Sequence, residues 1–346
     1  MRTQIPPTMK QWVTDYTGID TLKQEEAPVP KPGAGEVLVR ISAVSLNFRD
    51  VEVCMGDYDH HDSLPPPPNV VPCSDFLNIS GRRPGNGNIQ PNASDGSDHR
   101  RASAFGAWSA PSSVLSEYAT FPLYGLVKAP ANLSDEEGST LPIAAATAWM
   151  AINWMQPIGQ PLRGAEHIVL LQGTGGVSTA GLQLAHALGL KTIVTSSSGD
   201  KLKKAKELGA DYLVNYREKT EWQEEVMKLT DGKGVDVIFE QGGPATLAKS
   251  FGCVRWGGLI SCIGYLSGKQ DVGDKIVNTN VLALRRNVTL KGIWNGPKDR
   301  LEEAVAVYDK HRIKPVIDKT FAFNEAREAF KYVAAGSHFG KVIVKV

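Results

Sequence analysis

Cysteine is scarce in this chain. Four occur in 346 residues, at positions 54, 73, 253 and 262, and no two have C-x-x-C spacing. That argues against a disulfide framework and a zinc knuckle, and it suits a reducing compartment. An excess of one charge is also missing. Thirty-eight basic residues face 37 acids for a net of +1, with basic pairs such as Arg82-Arg83, Arg100-Arg101 and Arg285-Arg286. Nucleic acid is therefore not an expected partner. No run of 18 apolar residues exists, and residues 1–7 lack the apolar core of a signal peptide. No membrane partner is expected, and the cytosol is the expected compartment. With 42% hydrophobic and 22% charged residues, a chain of this length suits two ordinary globular domains.

What is present centres on residues 168–188. Ile168, Val169, Leu170 and Leu171 form an apolar run without a polar face, as a buried parallel strand requires. Gln172-Gly173-Thr174-Gly175-Gly176-Val177 follows as a tight turn, and Val177, Ala180, Leu184 and Leu188 then recur at helical spacing. A strand feeding a glycine turn and a helix start is an anion cradle, because free N–H groups and the positive helix end face its occupant. The usual occupant is a dinucleotide pyrophosphate. The G-x-G-x-x-G fingerprint would place glycine at 178, where this chain has Ser178, with Gly181 three residues on. Further strands are expected at 192–195, 211–214, 235–239 and 259–263, with helices at 201–208 and 222–229 between them. Alternating β and α units predict an α/β fold with a doubly wound parallel sheet. A sixth strand at 287–293 is an edge that would pair across a two-fold, so a homodimer is expected. Helices are expected at 300–310 and 325–333.

The end of the second strand bears on the cofactor. An NAD site normally has an acid there for the ribose 2′-hydroxyl. This chain reads Thr195-Ser196-Ser197-Ser198-Gly199-Asp200-Lys201. Ser196, Ser197 and Lys201 leave room and charge for a 2′-phosphate, which favours NADPH over NADH. Asp200 is expected to cap the following helix; a solvated surface lysine is the alternative for Lys201. Gly242, Gly264 and Tyr265 close the fourth and fifth strands at their carboxyl ends, where ligands bind in such sheets.

Near the start, residues 8–26 suggest a strand pair. Residues 36–44 alternate polar and apolar, as in an antiparallel strand with one wet face. Asn47, Arg49 and Asp50 follow its end. They form either a site or a helix start at which Arg49 and Asp50 pair structurally.

Leu46-Asn47-Phe48-Arg49-Asp50, then Gly56-x-Tyr58, and the Gly-Thr-Gly-Gly-Val turn about 125 residues later together resemble the zinc-free branch of the medium-chain dehydrogenase/reductase superfamily. The resemblance spans nearly the whole chain. In style it is nearest to quinone-oxidoreductase-like proteins, fungal alcohol-dehydrogenase-like reductases and polyketide enoyl reductase domains. It implies a GroES-like domain from residues 1–137 and 316–346, and a Rossmann domain from 138–315, with a cleft for NADPH. Zinc-dependent relatives place a cysteine ligand where this chain has Asn47. Cys54, Cys73, His60 and His61 are unsuitably spaced, so no metal is expected. The resemblance also implies residue roles. Tyr58 aligns with a tyrosine suggested as proton donor, and Asn47 would bond a substrate carbonyl or ribose. Thr147 would lie near the nicotinamide, although the alanines around it also suit plain tight packing. Tyr216 would approach the adenosine phosphates, or be a loop aromatic. Lys341, in the closing Gly-Lys-x-Val strand, joins the cofactor set.

Residues 76–111 depart from the family pattern. Rich in Gly, Asn, Ser, Pro and Arg, they are expected to be loop-like. Such a stretch is either a reading-frame error, the favoured explanation, or a true insertion. The expected activity is hydride transfer from NADPH to an enone, enoyl thioester, quinone or carbonyl of a small apolar substrate. The alternatives are a zinc-free alcohol dehydrogenase and an idle NADPH-binding protein.

Overall fold

A computed structural model describes residues 5–58, 69–78, 114–270 and 278–346. Most of the 76–111 segment, together with His60 and His61, lies outside the described residues. The chain separates into two compact units, Met1–Ile143 with Ile317–Val346, and Ala144–Val316.

In the first unit, β1 (Thr8–Val13) pairs antiparallel with β2 (Lys23–Pro28). β3 (Glu36–Leu46) serves two sets of partners. Its first residues pair with β5 (Tyr118–Pro122), and its later ones with β4 (Asp75–Asn78) and β13 (Lys341–Lys345). β12 (Ile317–Ala322) lies parallel to β13. The expected wet face holds only for the first half of β3, because Ile41 to Leu46 are all buried. Both edges of the later half are paired, and α2 (Asp135–Gly138) and α10 (Ala326–Ala334) pack on β3. α2 is capped reciprocally by Ser134 and Glu137, whose side chain and N–H exchange hydrogen bonds of 2.8 and 3.2 Å. The core includes Trp12, Leu22, Ile41, Leu115, Phe330 and Val344. β4 corrects the expected loop-like start of the 76–111 segment. Backbone pairing of residues 75–78 with β3 extends it as strand, which composition does not reveal. α1 (Phe48–Met55) begins just past β3 and ends at Gly56, whose φ of 73° is left-handed.

The second unit is a six-stranded parallel sheet ordered β11-β10-β9-β6-β7-β8. Its strands are β6 (Ile168–Gln172), β7 (Lys191–Ser196), β8 (Tyr212–Asn215), β9 (Val235–Glu240), β10 (Val254–Cys262) and β11 (Thr289–Gly292). Its helices are α3 (Ala146–Asn153), α4 (Gly176–Ala187), α5 (Gly199–Glu207), α6 (Trp222–Leu229), α7 (Pro244–Cys253), α8 (Thr279–Arg286) and α9 (Lys298–Lys310). β10 starts five residues earlier than the expected 259, because Arg255, Gly257 and Gly258 hide the apolar period. The strand order reverses between β6 and β9, which makes that point the ligand-binding end of a doubly wound sheet. No described helix is long and apolar enough to cross a membrane.

Candidate active site

The turn after β6 is shaped by two glycines with different duties. Gly173 has φ of +79°, and its N–H donates to the Thr195 carbonyl at 2.9 Å. A Cβ on Gly173 or Gly175 would meet no atom within 4 Å, so the space over the turn is open. Gly175 precedes α4, whose first N–H groups, at Gly176, Val177 and Ser178, have no acceptor within the helix. Thr174 is buried in the turn. The residues thus fit a pyrophosphate cradle.

Ser178 explains the broken fingerprint. Its hydroxyl donates to the Gln172 carbonyl at 2.9 Å and accepts from the Gln241 side-chain amide at 2.6 Å. The close approach of helix to sheet is left to Gly181. A Cβ there would lie 2.6 Å from the Phe239 ring and 3.1 Å from Leu171. The third glycine's packing duty has therefore moved three residues, about one turn, along the helix.

At the end of β7, Ser196 is buried and Ser197 half-buried, and no carboxylate follows directly. The cap of α5 is Ser198, whose hydroxyl accepts from the Lys201 N–H at 3.4 Å. Asp200 was the expected cap; it lies in the first helical turn, because the helix begins at Gly199, earlier than its apolar pattern suggests. Tyr216 is 41% exposed, and its N–H donates to the Ser196 carbonyl at 3.1 Å, so Tyr216 and Ser196 adjoin.

The turn after β9 is built on Glu240, which is not among the expected site residues. Glu240 is 1% exposed. Its Oε1 accepts from the Gly242 and Gly243 N–H groups, each at 3.0 Å, and from the Thr246 hydroxyl. Its Oε2 accepts from Gln172 Nε2 at 2.8 Å and from the Ser250 hydroxyl. Gln172 Oε1 in turn accepts from the Gln241 N–H at 3.1 Å. Gly242 thus forms part of this turn, and Gly264 and Tyr265 pack on it: a Cβ on Gly243 would lie 2.9 Å from Tyr265 Cα, and the Gly264 N–H reaches the Glu240 carbonyl at 3.3 Å. The available signal was an acid closing the apolar run of β9. Thr147, on α3, is 2% exposed, and its hydroxyl has no partner among the described residues. A buried orphan hydroxyl of this kind fits a ligand group as its partner.

In the first unit a second polar cluster gathers residues far apart in sequence. Asn47 Nδ2 donates to Asp75 Oδ2 at 2.9 Å, and Asn47 Oδ1 accepts from Lys341 Nζ at 2.6 Å. Lys341 also reaches the Leu46 carbonyl at 2.8 Å and Asp75 Oδ2 at 3.3 Å. Asp75 Oδ1 accepts from the Ile143 N–H at 2.7 Å. Lys341, expected among the cofactor ligands, thus has its three ammonium donors committed to this cluster. Asp50 accepts from the Asn47 N–H at 2.8 Å and lies 3.7 Å from Arg49, the structural option for that pair. Arg49 donates to Ser74 at 2.9 Å and lies 5.0 Å over the Tyr58 ring. Tyr58 is buried just past the end of α1, so Asn47 and Tyr58 flank one helix. Among the described residues, no three His, Cys, Asp or Glu side chains gather as metal ligands.

Burial raises the Asp75 carboxyl from its ordinary 3.8 to about 6, against the pull of Lys341 and the Asn47 bond. A carboxyl raised on folding contributes stability that is complete below its unfolded value and lost as pH climbs through the folded one. Stability is therefore expected to fall between about pH 4 and pH 6, by the share due to Asp75. Burial raises Asp50 in the same direction. The Asp75 share is read by comparing urea midpoints at both pH values for the wild type and Asp75→Asn. An equal slope in the two proteins would remove Asp75 as the cause.

Comparison with known proteins agrees with this architecture. A family profile described as zinc-binding dehydrogenase matches residues 176–310. A zinc-type alcohol dehydrogenase-like protein of Schizosaccharomyces pombe is 37% identical, over 96% of this chain and 97% of the relative. The 2-methylene-furan-3-one reductase of Solanum lycopersicum is 29% identical, over 98% of this chain and 80% of its own length. A solved Sinorhizobium meliloti protein, described as an alcohol dehydrogenase, superposes with TM-score 0.80 at 35% identity, over 99% of this chain and all of that one.

Proposed function

The chain belongs to the medium-chain dehydrogenase/reductase superfamily, and on that premise we propose that it is a zinc-independent, NADPH-dependent reductase of activated double bonds, quinones or carbonyls in small apolar molecules. The observation that carries the cofactor half is the open cradle over Gly173 and Gly175 at the helix start. Gly173, Thr174, Gly175, Gly176 and Val177 hold the pyrophosphate, while Ser196, Ser197, Lys201 and Tyr216 receive the adenosine ribose and its 2′-phosphate. Gly242, Gly264, Tyr265 and the Thr147 hydroxyl address the nicotinamide half. A bound reduced nicotinamide supplies the hydride. Asn47 has a second amide hydrogen beyond the one given to Asp75, and it donates this to the substrate carbonyl. Tyr58 is the proton donor. The resemblance to a 2-methylene-furan-3-one reductase supports an enone among the substrates. Where zinc-dependent relatives have a cysteine ligand, Asn47 is already bonded to Asp75 and Lys341, which supports metal independence. β11 is the sheet edge, and the exposed Leu290 on it, with Leu284 on α8 82% exposed, supports pairing of two copies across a two-fold.

The test is fluorescence titration with NADPH and NADH, followed by crotonyl thioester or 9,10-phenanthrenequinone in the presence of EDTA. Oxidation of bound NADPH on adding acceptor is the expected result. Binding without turnover of any acceptor would favour an idle cofactor-binding protein. The 2′-phosphate assignment has its own test, because an acid beside that group repels it. Ser197→Asp is expected to weaken NADPH about tenfold, for a charge change on the order of 1.4 kcal/mol, and to leave NADH unweakened. Equal losses for both cofactors would defeat the assignment.

A further inference from the structure

Glu240 has features of more than a loop support. It is buried, and its two oxygens accept from two backbone N–H groups, one amide and two hydroxyls. Convergence of so many donors on one carboxyl marks the ionised form. Yet among the described residues no lysine, arginine or histidine pairs with it, although buried charges usually have a counter-charge. Dipoles orient and partly screen the negative charge without cancelling it. Its field extends to neighbouring strand ends. Burial pushes the Cys262 thiol up to about 11, and the Glu240 charge adds to that rise.

The location gives the charge a use. Glu240 closes β9, directly across the strand-order reversal from Gln172, which closes β6. In a doubly wound sheet the dinucleotide lies across this crevice, one mononucleotide half on each side. The β6 turn takes the pyrophosphate and the end of β7 takes the adenosine ribose, so the nicotinamide half falls to the β9 and β10 side. The reduced nicotinamide ring is neutral and the oxidised ring carries +1. Two electrons and one proton leave it together as hydride, and the substrate gains them.

We propose that Glu240 is an electrostatic positioning residue whose uncompensated negative charge stabilises the oxidised, cationic nicotinamide relative to the reduced one. Bound NADPH is thereby made a stronger hydride donor than free NADPH. The same carboxylate fixes the 241–243 turn through its backbone bonds. This rests on the cofactor assignment above and extends it to the direction in which the site drives the reaction.

The experiment measures dissociation constants for NADP+ and NADPH separately, by calorimetry and fluorescence, in the wild type, Glu240→Gln and Glu240→Asp. Glu240→Gln keeps the shape and removes the charge. The ratio of the NADP+ constant to the NADPH constant is expected to rise about tenfold, for a single partly screened charge, which for a two-electron carrier is about 30 mV. Glu240→Asp keeps the charge and spoils the turn. It is expected to weaken both forms while leaving the ratio near that of the wild type, a separation that a merely structural role would not produce. An unchanged ratio in Glu240→Gln, with both cofactors still bound, overturns the inference and leaves the cofactor assignment standing. Failure of the wild type to bind either form overturns that assignment instead. If Glu240→Gln does not fold, the wild type decides: NADP+ is expected to bind at least as tightly as NADPH, and about tenfold tighter binding of NADPH overturns the inference.

Discussion

Replacing Lys341 with methionine is expected to cost about 3–5 kcal/mol of stability, because it removes one partner of a buried ion pair and strands the other. Lys341 is 5% exposed and Asp75 fully buried, with 3.3 Å between Nζ and Oδ2. Without the ammonium, Asp75 retains, among the described residues, the Asn47 amide and the Ile143 N–H, too little for a carboxylate out of water. The remedy is neutralisation, since replacing both ends of a buried pair is far cheaper than breaking it. The Lys341→Met, Asp75→Asn double variant is therefore expected to recover much of the loss. Urea unfolding of the wild type, both single variants and the double variant at pH 7 measures this as a coupling energy. Additive losses would show that the pair does not interact. A functional loss should accompany the structural one. Lys341 fixes Asn47 Oδ1, so folded Lys341→Met is expected to lose turnover more than cofactor affinity.

The second large effect separates two glycines that look alike in sequence. Gly173→Val is expected to weaken NADPH binding about 100-fold, or about 2.7 kcal/mol. Part of the loss is backbone strain, since a φ of +79° is costly for any residue with a Cβ and more so for a β-branched one. The rest comes from the side chain filling the open space where the pyrophosphate approaches. Gly181→Ala acts elsewhere. Its new methyl would overlap the Phe239 ring, so the fold should lose about 1–3 kcal/mol while the folded fraction binds NADPH normally. Paired measurements of urea stability and NADPH affinity distinguish the two. A Gly173→Val protein with normal affinity would remove the turn from the cofactor site.

The βα units of residues 168–292 were legible because their signals are local. An apolar run, a glycine turn and a 3.6-residue period occupy neighbouring positions, and helix 222–229 is found where that period predicts it. Where local signals are missing, the elements are not legible. The start of β10 lies among arginine and glycine, and the strand at 75–78 exists only through its pairing with β3. The alternation implies a helix between the fourth and fifth strands, but the bounds of α7 and α8 are not legible, since α7 opens with Pro244 after two glycines and α8 leaves Leu284 bare to solvent.

The candidate site divides in the same way. The sequence alone determined the cradle, the hydroxyl-rich end of the second strand and the glycine missing at 178, each a feature of consecutive residues. Only the tertiary structure decided what Ser178 does, that Gly181 takes over the close packing, and that Glu240 sits buried beneath the turn. Only it joined Asn47, Asp75 and Lys341, which lie 28 and 266 positions apart along the chain, and so turned an expected cofactor lysine into the counter-charge of a buried aspartate. The physical reason is that a charge's role depends on which groups surround it once water is excluded, and those groups are assembled by loop closure across the whole chain, outside the reach of any local pattern.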